Sequence, residues 1–109
     1  MVLRQNERGI MQANDAQTLV LCALADGPLH GYAINTAIEE LTGERLGPGS
    51  LYGALARLES KRLIEPLDGQ GRQRPVRLTP RGREVLEREL RAMAHVANAG
   101  LRRLGVNLA

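Results

Sequence analysis

The chain has 109 residues, a net charge of +3 and two aromatic residues, Tyr32 and Tyr52, so it forms one small domain whose core must be aliphatic. Its apolar runs are far shorter than the ~20 residues that cross a bilayer, and its N-terminus carries charges where a signal peptide is apolar. We therefore expect a protein that spans no membrane. Its single cysteine, Cys22, cannot form an internal disulfide and suits a reducing compartment, so we expect the protein to be cytoplasmic.

Two helices are predicted in the first part of the chain. Residues 1–14 lack a strong period and are expected to form an arm or a short helix. A nearly unbroken apolar run then predicts a buried helix over residues 15–25, capped by Asp15 and ended by a Gly-Pro pair. Apolar residues at helical spacing predict a second helix over residues 30–41, with the His30 side chain as its cap.

The third predicted helix, from Pro48 to about Lys61, has two unlike faces. Leucines spaced four and three apart form an apolar back. The front is small or cationic, as at Ser50, Gly53 and Arg57. Small side chains let a helix press against base edges in a DNA groove, and arginine binds guanine or phosphate.

A β-hairpin is predicted after the third helix. Two extended segments, residues 63–67 and 74–78, flank a turn sequence that contains two glycines. Pro75 lies inside the second segment and favours an edge position for that strand. Arg72 and Arg74, at the tip and on the second segment, can follow a DNA backbone or enter a minor groove.

A long last helix is predicted over residues 80–104, because Thr79 is a hydroxyl cap followed by proline. Its apolar residues alternate at spacings of four and three, which is typical of a coiled-coil seam. A lone helix cannot bury such a seam, so we expect a second copy of the chain to cover it. The predicted dimer contacts are Leu86, Leu90, Met93, Ala97 and Leu104.

The order of these elements is that of a helix-turn-helix followed by a wing. Residues 44–83 carry nine basic and four acidic residues, whereas residues 1–43 carry two and five, so a polyanion such as double-stranded DNA is the expected partner. The candidate DNA contacts are Gly49, Ser50, Tyr52, Gly53, Arg57, Lys61, Arg72 and Arg74. The predicted fold class is mainly α with a small β-hairpin: an arm over 1–14, a winged helix-turn-helix over 15–79 and a dimerisation helix over 80–109.

Five short motifs lie in order along residues 16–90. They are Gly27-Pro28-Leu29-His30-Gly31-Tyr32, Gly47-Pro48-Gly49-Ser50-Leu51-Tyr52, Leu55-x-Arg57-Leu58-Glu59, Leu63-Ile64 and Arg77-Leu78-Thr79-Pro80-Arg81-Gly82. Together they resemble the PadR family of bacterial transcriptional regulators. The chain departs from the family pattern at Gly47, at Gly53 and in the wing at Pro75 and Val76, where the family usually has Ser or Thr, Pro and aromatic residues.

The resemblance implies a winged helix domain, a homodimer joined through the last helix, and repression of nearby genes from an operator with two-fold symmetry. The short chain is similar to the subgroup with a single C-terminal helix. Some members of the family sense small aromatic or drug-like molecules, but this chain has no Trp or Phe to stack on such a ligand. A small-molecule effector of unknown identity, bound in an aliphatic pocket, stays open.

The alternative is a winged-helix protein-interaction module without sequence-specific DNA binding, since fold does not fix function. The basic middle segment argues against it. An enzyme is not expected, because the sequence has no Ser-His-Asp set, carboxylate pair or phosphate-binding glycine loop. Cys22, His30 and His95 lack metal-ligand spacing, so no metal or cofactor is expected. We expect Tyr32 and Tyr52 to be core or packing residues with a hydroxyl exposed to solvent, and Cys22 to be inert.

Overall fold

The computed structural model of the chain describes residues 13–68 and 74–106. Within these ranges the helices are α1 (Ala13–Ala23), α2 (Gly31–Thr42), α3 (Pro48–Ser60) and α4 (Pro80–Arg103), and the strands are β1 (Ile64–Pro66) and β2 (Val76–Leu78). The predicted fold class is confirmed. Helix α1 begins two residues before Asp15, which lies in its first turn, so the prediction that Asp15 caps this helix is wrong. None of the helices described here is long and apolar enough to cross a membrane.

The core is aliphatic, as predicted, and α1 lies at its centre. Helix α1 packs on α2, α3 and α4. The largest fully buried side chains come from α1 and the residue after it, α2, α3 and β1: Val20, Leu21, Leu24, Ile34, Ile38, Leu58 and Ile64. Leu51 of α3 and Leu86 of α4 are also buried. Tyr32 and Tyr52 are 72% and 57% exposed, so they lie outside the core and pack at the surface, Tyr52 against Gly31 and Tyr32 beside Arg45. Leu, Ile, Val and Ala fill the interior without them.

Backbone conformation, rather than side-chain capping, marks both ends of helix α2. His30 stands at the N-cap position with an extended backbone, but its side chain makes no capping hydrogen bond, so that prediction is wrong. At the other end Gly43 adopts φ +85°, a left-handed conformation that glycine accepts without a steric penalty. The Gly43 amide then donates to the Glu39 carbonyl at 2.7 Å, and the chain turns toward α3.

The wing is a hairpin with one additional pairing. Strands β1 and β2 are antiparallel, and Leu29 pairs with Val76 on the other side of β2 through hydrogen bonds of 2.9 and 3.1 Å. Strand β2 is therefore bonded on both sides at Val76. In this two-stranded sheet β2 is an edge strand, as predicted, apart from the isolated bridge at Val76, and Pro75 lies just before the strand rather than inside it. The Leu29 pairing ties the wing to the segment that precedes α2.

Helix α3 runs without interruption through Gly53. The second residue after its end has an unusual backbone conformation. Arg62 has φ +61°, and the Leu63 amide behind it donates to the Leu58 carbonyl at 3.0 Å. A side chain in the left-handed region costs about 1 kcal/mol. We therefore expect Arg62→Gly to raise the free energy of unfolding by up to about 0.5 kcal/mol, after the larger backbone entropy of unfolded glycine is subtracted. Urea unfolding checks this, and a lower midpoint would contradict it.

The N-terminal part of helix α4 packs on the rest of the domain, whereas its C-terminal part is exposed. The Thr79 side chain accepts a hydrogen bond from the Gly82 amide at 3.0 Å, which confirms the predicted cap. Gly82 and Leu86 are buried against α1 and the wing. From Leu90 onward the helix carries exposed apolar side chains, and its 24 residues span about 36 Å at 1.5 Å per residue.

Candidate nucleic-acid interface

Helix α3 turns a row of small side chains outward. Leu51, Ala54 and Leu58 are buried on its back, and the opposite side is spaced four and three residues apart, as a single helical face requires. We call this opposite side the front of α3; its residues are Gly49, Tyr52, Gly53, Ala56 and Ser60. Gly49, Tyr52 and Gly53 were predicted. Ala56 and Ser60 were missed, although continuing the same spacing along the helix would have found them.

Arg57 is a cation directly beside the α3 front. It lies exposed on the flank of the helix, one turn after Gly53, and a methyl group at Gly53 would come within 3.1 Å of its Nη1. The absence of a side chain at Gly53 therefore gives the guanidinium room to lie along the helix. Arg57 forms no ion pair with any residue in the described part of the chain. Its positive charge is uncompensated, as a phosphate or guanine contact requires.

Two hydroxyl side chains, Ser50 and Tyr52, lie at the N-terminal end of α3. Ser50 is exposed on the same flank as Arg57. The Tyr52 ring lies against the start of α2, because a methyl group at Gly31 would be 3.4 Å from its hydroxyl oxygen. This contact positions the hydroxyl between the two helices of the helix-turn-helix. Tyr52 is thus a packing residue on one side and a hydrogen-bonding group exposed to solvent on the other.

Arg45, which was not predicted, extends this surface along α2. It lies in the turn before α3, and its guanidinium carbon is 5.1 Å from the centre of the exposed Tyr32 ring. The same guanidinium contacts Glu39 at 3.0 Å. Cation–π and ion-pair contacts at such exposed sites are each worth up to about 1 kcal/mol. They orient Arg45 next to the start of α3, and the only signal in the sequence was a basic residue just before the third helix.

Lys61 is not brought together with the other candidates. Its Nζ donates a hydrogen bond of 2.8 Å to Oε1 of Gln17, a buried residue of α1. The amino group is therefore held toward α1, to one side of the α3 front. The structure assigns Lys61 a contact between helices in addition to any role toward DNA.

The base of the wing is described, whereas its tip is not. Arg74 is exposed just before β2 and, like Arg57, has no ion-pair partner among the residues described. Arg77 pairs with Glu65 across the strands at 2.8 Å, so its charge is compensated. Arg72 lies outside the described residues.

The residues of α4 that were predicted to contact a second copy of the chain fall into a buried group and an exposed group. Leu86 is buried in the core of its own chain, 4% exposed, so it offers no area to a partner, and the prediction fails for this residue. Leu90, Met93, Ala97 and Leu104 are exposed. Val96, 70% exposed, was missed; we call this set with Val96 the free face of α4. Beside it a shallow groove is lined by Arg83, Leu86, Glu87, Leu90, Arg91 and Ala94.

Cys22 is half-buried next to the core. Desolvation by burial raises the pKa of its thiol above the ordinary value. A thiol with a raised pKa is mostly protonated at neutral pH and is a weak nucleophile. The position agrees with the expectation of an inert side chain.

An exposed front on the second helix of a helix-turn-helix, followed by a wing, defines the class of winged helix-turn-helix transcription regulators. A family model described as the transcriptional regulator PadR-like family matches residues 20–88. The chain belongs to this family.

Individual relatives agree with the family. The chain is 71% identical over 87 residues to a 37.1 kDa protein in transposon TN4556 of Streptomyces fradiae, covering 80% of this chain and 25% of that protein. It therefore spans about a quarter of the length of that relative. It is 35% identical over 82 residues to the transcriptional regulator Rv3488 of Mycobacterium tuberculosis, covering 72% and 75%. A PadR family transcription regulator from Clostridium difficile matches with a TM-score of 0.72 at 28% identity, covering 82% and 97%.

Proposed function

We propose that this chain binds double-stranded DNA as a homodimer and represses transcription from an operator with two-fold symmetry. The observation that carries the proposal is the front of α3. It is exposed, its side chains are mostly small, and Arg57 beside it has no ion-pair partner in the described ranges. Packing within the core of the domain does not require such a surface, whereas binding of the helix in a groove of DNA does.

The chemistry of the α3 front suggests how bases are read. Gly49, Gly53 and Ala56 cannot hydrogen-bond through their side chains, so they serve close approach of the helix, and Ala56 suits contact with a thymine methyl group. Hydrogen-bonding recognition then falls to few groups, chiefly Ser50 and Arg57. Arg74 at the wing base supplies a phosphate contact at the side of the groove.

The free face of α4 supports a second copy as the partner. Its residues are apolar and exposed in the single chain, and an apolar stripe at spacings of four and three is the pattern by which helices pair. A two-fold pair presents two α3 fronts, which suits half-sites one helical turn, about 34 Å, apart. When such a site overlaps a promoter, occupancy excludes RNA polymerase, and repression follows.

Selection from a random pool of duplexes tests the proposal, because the protein itself picks out the duplex that it binds best. We expect the wild-type protein to enrich a sequence with two-fold symmetry. Arg57→Ala should weaken binding to that duplex about 10- to 100-fold, because both copies lose a charged contact. Adding Arg72→Ala should weaken it further. Fluorescence anisotropy measures these affinities.

Arg88→Ala is the matched control, since it removes the same charge from an exposed position on α4. It should leave the affinity within about two-fold of wild type. Across a salt titration, Arg57→Ala should also reduce the number of released counterions by about one per protomer. Equal affinity of the wild type for the selected and random duplexes would contradict sequence-specific binding and favour the protein-interaction alternative.

A further inference from the structure

Asn35 is a polar residue on the buried side of α2. It is 8% exposed and lies next to Ile34 and one turn before Ile38. A primary amide in such a place is costly unless all of its hydrogen-bonding groups are used. Asn35 uses both ends of the amide: its Nδ2 donates to the Leu46 carbonyl, and its Oδ1 accepts from the Leu46 amide, each at 2.8 Å.

Leu46 occupies a sensitive position in the helix-turn-helix. It immediately precedes Gly47, whose carbonyl accepts the first backbone hydrogen bond of α3, from the Leu51 amide at 2.9 Å. The turn from residue 43 to residue 47 contains no regular secondary structure. Asn35 holds both backbone groups of Leu46 from the middle of α2, so it acts as a clamp between the first helix of the motif and the start of the second.

The other contacts of the turn are made by the exposed side chain of Arg45 to α2 and by Thr42 at the end of α2. The Thr42 hydroxyl accepts from the Glu44 amide at 3.1 Å and donates to the carbonyl of Ile38. These bonds shape the end of α2 and do not reach Leu46 or Gly47. The paired bonds between Asn35 and Leu46 join residues eleven positions apart and hold the backbone of the turn directly before α3.

We propose that Asn35 is a positioning residue for DNA recognition, which sets the angle at which the α3 front enters the groove. The inference rests on the proposed function. A clamp of this kind pre-organises the reading surface before DNA arrives. Contacts to base edges depend on that angle, whereas charge contacts to phosphates tolerate small rotations. Loss of the clamp should therefore reduce binding to the selected duplex more than binding to random duplex.

Asn35→Ala tests the proposal in two measurements. In the free protein, hydrogen exchange of the Leu46 amide should become about 10-fold faster or more, because its acceptor is lost. With DNA, affinity for the duplex selected by the wild type should fall about 10-fold, and affinity for random duplex should change less than about two-fold. Ile38→Val is the matched control: it removes a methyl group from the same buried face and destabilises the fold without touching Leu46, so the ratio of the two affinities should stay at the wild-type value.

Three outcomes separate the possibilities. Unchanged exchange at Leu46 would overturn the clamp. Equal losses on both duplexes, or the same change of ratio in Ile38→Val, would reduce Asn35 to a purely structural residue and overturn the positioning role. A wild type that binds both duplexes equally would overturn the proposed function itself, while the exchange measurement still tests the clamp. Where Asn35→Ala does not fold, Asn35→Asp replaces it, with the ratio of the two affinities as its readout, since it keeps the acceptor for the Leu46 amide and opposes a carboxylate to the Leu46 carbonyl.

Discussion

A Met93→Asp variant should be a folded monomer at concentrations where the proposed dimer of the wild-type chain forms. Met93 is 55% exposed in the single chain and lies in the middle of the free face of α4. A carboxylate there costs the isolated chain little, but a two-fold interface would bury two of them among apolar side chains. Burial of an unpaired charge costs several kcal/mol, so we expect the dimer to dissociate at least about 100-fold more easily. Sedimentation equilibrium over a concentration series measures the effect.

Met93 is a better test than Leu90, although both lie on the same stripe. Leu90 is 36% exposed, so a charge at Leu90 would also disturb packing within the chain. His95→Asp serves as the control because His95 is exposed on α4 away from the free face. The control should remain a dimer. If Met93→Asp is equally dimeric, the interface lies elsewhere, and the assignment of α4 as the dimer helix is wrong.

Dissociation of the dimer should also weaken DNA binding. A monomer contacts one half-site, and its affinity for the selected two-fold duplex should fall steeply, whereas circular dichroism should report an unchanged helix content. This combination separates a lost interface from a lost fold. It also separates the two halves of the proposal, since Arg57→Ala should weaken DNA binding and leave the dimer intact.

Local signals in the sequence were enough to predict the order of the elements. Helical spacing of apolar residues, a glycine in the turn after α2 and the Thr79 cap each act over a few residues, and each is visible in the chain itself. The errors at Asp15 and His30 have one physical cause. A helix end is fixed by which backbone amides find partners, and residues of favourable type near the end do not decide this alone.

Contacts between residues distant in the sequence account for what the sequence did not show about Lys61 and Leu86. The hydrogen bond of Lys61 to Gln17 joins residues 44 apart, and the burial of Leu86 follows from how α4 packs on α1 and the wing. A periodic stripe shows which face of a helix is apolar, but it does not show where the chain's own core ends and a free face begins. Asn35 was missed for the same reason, since its partner is backbone and leaves no pattern of side chains.

The predicted motif around Thr79 contains a glycine whose necessity appears only in three dimensions. A methyl group at Gly82 would lie 1.9 Å from the carbonyl oxygen of Leu63 and 2.9 Å from its carbonyl carbon. That oxygen also accepts the Thr79 amide at 3.1 Å, so it cannot withdraw without losing a hydrogen bond at the start of α4. Glycine at this position lets α4 dock directly on the backbone that joins α3 to β1.

Gly82→Ala should therefore lower the free energy of unfolding by about 3 kcal/mol, even though alanine favours a helix more than glycine does. This is a large part of the 5–15 kcal/mol that typically holds a domain together, and a urea titration followed by circular dichroism measures it. Gly49→Ala is the matched control, because a methyl group at Gly49 meets nothing within 4 Å, and it should unfold at the wild-type midpoint or above. If Gly82→Ala is as stable as this control, α4 does not dock closely on Leu63, and the attachment of the dimer helix to the end of α3 must be looser.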